Sequence, residues 1–130
     1  MNKKITYLIL LISSFSLYAE WKETLDLDVG GKVYLETDTI KEIDGYVYYW
    51  SMTDYNEPRE KGFLSVHFYT QGDCKKMLFR TISYSFFEFN TGRGAAEHHT
   101  YASKDWVDPG ASNTVAHSLL KAACKDIGEG

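Results

Sequence analysis

From Trp21 onward, apolar and polar residues mostly alternate with the two-residue period of a half-buried strand, not the 3.6-residue period of a helix. The stretch from Tyr46 to Tyr55 carries Tyr46, Tyr48, Trp50 and Met52 on one face and Val47, Tyr49, Ser51 and Thr53 on the other. Residues 63–70 alternate in the same way, with Leu64, Val66 and Phe68 opposed to Ser65, His67 and Tyr69. Turn residues punctuate the pattern. Gly30-Gly31 divides residues 21–28 from residues 32–37, and Asp44-Gly45 precedes the Tyr46 strand, each a hairpin signal. Asp38-Thr39-Ile40 reads as a short turn, residues 56–62 as a polar loop, and Gln71-Gly72-Asp73 as a further reversal. Residues 74–89 then form a strand long enough to call for a bulge. Asn90-Thr91-Gly92-Arg93-Gly94 turns the chain back into residues 95–101.

The period changes after Asp108-Pro109-Gly110. Val115, Ala116, Leu119, Leu120, Ala123 and Cys124 recur at helical spacing, which predicts a helix over residues 114–125 with Ser112 or Asn113 as its cap. His117, Ser118, Lys121 and Lys125 fall outside the apolar face, and Gly128 lies where a helix stop belongs. Strands joined by short turns pair antiparallel, because a parallel crossover takes a dozen or more residues. The predicted fold is therefore α+β: an antiparallel meander of about six strands with one C-terminal helix packed on it.

The amino-terminal residues 1–19 follow a different plan. Lys3-Lys4 precedes an apolar run from Ile5 to Ile12, and Leu17-Tyr18-Ala19 leads into the charged Glu20. That layout is a signal peptide ending at Ala19, its apolar core well short of the ~20 residues of a membrane-spanning helix. It predicts an exported product, periplasmic or secreted, consisting of a single domain over residues 20–130. No integral membrane segment is expected after cleavage. No cysteine follows the apolar run, so no lipid-anchored terminus is expected either.

Export gives meaning to the two cysteines, Cys74 in a predicted strand and Cys124 at the end of the predicted helix. A redox pair would favour a Cys-x-x-Cys spacing, and zinc would need further ligands. A structural disulfide between Cys74 and Cys124, tying helix to sheet, is the reading that fits an oxidising compartment.

Composition narrows the function classes. The net charge of −4 becomes −6 once Lys3 and Lys4 leave with the leader, which argues against nucleic acid as a partner. His98 and His99 are adjacent on a strand and point to opposite faces, so they do not converge on a metal; His67 could meet one of them across strands. His117 falls on the solvated side of the helix. The Asn90–Gly94 stretch lacks the Gly-Lys-Ser/Thr ending of a phosphate loop, and no Gly-x-Ser-x-Gly elbow is present. The expectation is a non-catalytic chain with no metal and no cofactor. What stands out is an aromatic content of 15%, which exceeds what strand pairing requires unless the rings stack across strands or meet a partner. Tyr46, Tyr48, Trp50 and Tyr55 are the candidate interaction residues, facing a protein partner or a second copy of the chain.

An ordered set of landmarks resembles the surface-adhesin protein E family. Trp21 follows the leader; Val33-Tyr34 precedes Asp38-Thr39-Ile40; Tyr48-Tyr49-Trp50 leads through Met52 to Asp54-Tyr55. Asp73-Cys74-Lys75 is followed by Arg80 and Tyr84-Ser85, and Trp106 through Ser112 enters the helix that ends at Cys124. The resemblance implies an antiparallel sheet with a disulfide-linked C-terminal helix, and an adhesin that binds host matrix and plasma proteins and forms dimers. It implies lipoprotein display as well, from which this chain departs for want of the acceptor cysteine. The alternative function is a periplasmic accessory domain that binds a small ligand or another envelope protein.

Overall fold

The computed structural model describes residues 20–27, 30–100 and 104–128; the predicted signal peptide lies outside these residues. Among the described residues, seven strands form one antiparallel sheet: β1 (Trp21–Asp26), β2 (Gly31–Glu36), β3 (Lys41–Ile43), β4 (Tyr46–Tyr55), β5 (Ser65–Asp73), β6 (Leu78–Phe89) and β7 (Arg93–Thr100). The order is β1-β2-β4-β5-β6-β7, with β3 paired to β4. β2 pairs with residues 51–55 of β4 and β3 with residues 46–48, so the two lie end to end along one flank of β4. The seven strands thus make a six-deep meander in which one strand is interrupted.

The interruption is built by Glu36. Its carboxylate is buried and accepts hydrogen bonds from the backbone N–H groups of Asp38 (2.8 Å) and Thr39 (3.0 Å), and from the Thr39 hydroxyl. These bonds satisfy the turn's backbone donors and the buried charge together. Asp44 and Gly45, both at positive φ (53° and 86°), then close the β3–β4 hairpin in the geometry that its two-residue turn requires.

Helix α1 (Val115–Asp126) packs on one face of the sheet, against β1, β2 and β4. The core between them is Val33, Leu35, Val47, Tyr49, Leu119, Leu120, Ala123 and Cys124. Thr114 caps the helix, its hydroxyl accepting from His117 N–H at 3.2 Å, in place of the predicted Ser112 or Asn113. The same hydroxyl donates to the Pro109 carbonyl at 2.7 Å, so the cap also fixes the approach to the helix.

Cys74 and Cys124 are joined, with Cα atoms 5.8 Å apart, and no cysteine is free. Cys74 lies in the turn between β5 and β6, not in a strand. Asp73 accepts from Lys75 N–H (3.0 Å) and Lys76 N–H (3.1 Å), and Met77 takes a positive φ of 52°. The reversal therefore falls at residues 74–77, and Gln71-Gly72-Asp73 belongs to β5. Gly72 is there because Leu120 sits directly above it: a Cβ at Gly72 would come within 2.5 Å of Leu120 Cδ1 and 2.9 Å of Val47 Cγ1.

Candidate interaction surface

The helix-free face of the sheet is aromatic along its length. Cross-strand register places Tyr46, Tyr48, Trp50 and Met52 of β4 beside Gln71, Tyr69 and His67 of β5, and these beside Arg80, Ser83, Ser85 and Phe87 of β6. Sequence alternation separates the faces of each strand but does not say which face of β5 joins the Tyr46 row; the register settles it.

Two clusters form on this face. In the first, the Trp106 ring stacks on Tyr46 at 5.3 Å, and the Arg80 guanidinium lies 4.6 Å over Trp106. Arg80 Nε donates to Gln71 Oε1 (2.6 Å), and Gln71 Nε2 donates to the Tyr48 hydroxyl (2.9 Å). Tyr69 lies 6.2 Å from Tyr48 and 4.7 Å from Trp50. The side chains of Tyr46, Tyr48, Trp50, Tyr69 and Trp106 are half-buried, so each is held in place while presenting part of a ring to solvent. Trp106 reaches this face because Val107 pairs with Phe79 through two backbone hydrogen bonds of 3.0 and 2.8 Å, extending the edge of β6.

The second cluster is drier. Trp21 begins β1, yet its ring meets His67 of β5 at 5.1 Å across the intervening β2 and β4, and Met52 beneath is buried. His67 also packs on Phe87 at 4.6 Å. Its Nε2 is buried without a partner, and burial lowers its pKa below the ordinary value of 6.5. His67 is thus a packed histidine, not an exposed one.

The other histidines do not gather. His98 is exposed on the same face as His67, its Nδ1 2.5 Å from Ser85 Oγ. His99 points to the helix side, stacked on Tyr84 at 5.0 Å and 3.3 Å from Glu97. His117 Nδ1 is buried and unpartnered, contrary to the expectation of a solvated ring. Among the described residues, no group of three or more His, Cys, Asp or Glu is placed to hold a metal ion.

Of the four predicted interaction residues, the structure brings together Tyr46, Tyr48 and Trp50. Tyr55 faces the helix side, packed on Phe63 at 6.2 Å with the Arg59 guanidinium 5.0 Å over its ring. Tyr69, Gln71, Arg80 and Trp106 complete the cluster. Only the parity of Tyr69 was visible in the sequence, because a ring arriving from residue 106 leaves no local trace.

The family model of surface-adhesin protein E matches residues 21–125, nearly the whole described chain. The chain belongs to the surface-adhesin protein E family. Two solved structures of Haemophilus influenzae protein E resemble this member of the family. One is 14% identical with a TM-score of 0.64, covering 88% of this chain and 91% of that one. The other, crystal form II, is 16% identical with a TM-score of 0.59, covering 85% and 99%. At such identity the likeness is one of fold. No functionally curated protein matches the chain. Among the described residues, no helix of this surface-adhesin protein E member is long and apolar enough to cross a membrane.

Proposed function

We propose that this chain is an exported, non-catalytic binding module of the bacterial envelope, adhesin-like, which grips an extracellular or host protein through the helix-free face of its sheet. The leader at residues 1–19 directs export, and the folded module spans residues 20–130. Family membership supports the adhesin class, and the disulfide supports an oxidising compartment. The observation that carries the reading is the half-exposed cluster of Tyr46, Tyr48, Trp50, Tyr69 and Trp106. Pre-stacked tyrosine and tryptophan rings bury large area on binding and lose little side-chain freedom, as interface anchors do. Arg80, spread over Trp106 and braced by Gln71, adds a charge with spare donors at the same place.

Purified protein and intact producing cells are the samples for the test. Saturable binding to at least one of a panel of immobilised matrix and plasma proteins is the expected result, weakened at least tenfold by Trp50→Ala with Tyr46→Ala. No saturable binding to the panel, or fractionation that leaves the whole population in the periplasm, would overturn the adhesin reading.

A further inference from the structure

On the opposite face, the layer between helix and sheet is incompletely filled. Helix α1 covers β1, β2 and β4, and beside it a cleft of about 230 Å³ opens over β4, β5 and β6. Its floor follows the register: Tyr49, Thr70 and Thr81 form one row across three strands, and Ser51 with Phe68 forms the next. Thr53 extends the floor along β4; Val115, Ala116 and Leu119 of the helix and Phe79 of β6 form the walls. The cleft exists because Ser51, Thr53, Thr70 and Thr81 are too short to reach the helix, and Ala116 is too short to reach them.

Five hydroxyl-bearing residues line this space: Tyr49, Ser51, Thr53, Thr70 and Thr81. Tyr49, Ser51, Thr53 and Thr70 are only 2%, 3%, 9% and 5% exposed. No Asp, Glu, Lys or Arg lines the cleft, and burial raises the Tyr49 pKa, so every polar group presented is a neutral hydroxyl. A hydroxyl both donates and accepts, so the floor suits carbonyl, hydroxyl or ether groups and gives no counter-charge to an ion.

We propose that this cleft is a binding site for an uncharged amphipathic small molecule, its apolar face against Phe68, Phe79 and the helix and its polar edge on the hydroxyl floor. Apolar walls with a few convergent polar groups are the usual make-up of a ligand pocket. A second hollow shares Phe68, Phe79 and Thr81 with the cleft and is lined also by the charged Arg80 and Asp105, so the uncharged character is confined to the cleft beside the helix. The cleft beside the helix shares no lining residue with the aromatic cluster on the other face.

The test uses the neutral, solvatochromic ketone 6-propionyl-2-dimethylaminonaphthalene with the full disulfide-bonded protein. Saturable binding with a blue-shifted emission is expected. Thr70→Val, nearly isosteric, should weaken it several-fold, as loss of one hydrogen bond does. Ala116→Trp, which fills the cleft from the helix side, should abolish it. Trp50→Ala on the opposite face should leave it unchanged, which separates this site from the protein-binding surface. Absence of saturable binding, or equal affinity in wild type and a folded Ala116→Trp variant, would overturn the proposal; so would a loss that tracks Trp50→Ala.

Discussion

The two faces of β4 are built from similar residues and put to opposite use. Val47 and Tyr49 are buried beneath Leu119 and Leu120. Tyr46, Tyr48 and Trp50, one residue out of phase, stay half-exposed and stack on Tyr69 and Trp106. What separates the faces is the helix, and what fixes the helix to one of them is a disulfide at its end. Side-chain chemistry alone therefore does not decide which aromatic is core and which is surface; coverage does. The structural face should respond to substitution through stability, and the open face through binding.

The largest effect on this contrast should come from removing the clamp. Replacing Cys74 and Cys124 by Ser opens a loop of sequence separation 50. On the chain-entropy account such a loop is worth about 4 kcal/mol, read as a lower midpoint in urea denaturation. Next is Leu120→Ala, which empties a fully buried site beneath the helix and should cost roughly 2–5 kcal/mol in the same measurement. Gly72→Ala should follow at about 1–3 kcal/mol, since its Cβ would meet Leu120 Cδ1 and push the helix outward. Trp50→Ala should cost only about 1 kcal/mol, the order of its stacking on Tyr69, and a larger loss would show that the open face is core after all.

The smallest effect is a pH dependence within the open face. Burial lowers the His67 pKa in the folded protein, so between that value and 6.5 the unfolded chain binds more protons. His67 thus contributes stability above pH 6.5, and that contribution falls as the pH drops from 6.5 toward the folded value. Denaturation midpoints for wild type and His67→Phe, compared at pH 7.5 and pH 5, should show a smaller acid loss in the variant.

Much of this division was legible in the sequence. Period two gave the strands, and Gly30-Gly31 and Asp44-Gly45 gave two hairpins. A change to period 3.6 gave the helix within one residue at each end. Tyr55 is grouped with Tyr46 as a predicted interaction residue, although the two-residue period sets it on the Tyr49 face, where it packs on Phe63. The other misreadings share a cause. Gly72 and Asp73 look like a turn because glycine and aspartate favour turns, but Gly72 answers to Leu120, which lies 48 residues further along the chain. The buried Glu36 carboxylate, the Trp21 ring over β4 and the arrival of Trp106 on Tyr46 likewise depend on contacts that no local window contains. The hydroxyl floor of the cleft is legible as a set of small polar residues only once the register aligns three strands.

The central claim is that the helix-free aromatic face binds a partner while the helix-covered face holds the fold. Its most direct test is biolayer interferometry of wild type and the Tyr46→Ala, Trp50→Ala double variant against the panel of matrix and plasma proteins, with denaturation midpoints measured on the same samples. The account predicts at least a tenfold loss of affinity with the fold retained. Unchanged affinity in a folded double variant would contradict it.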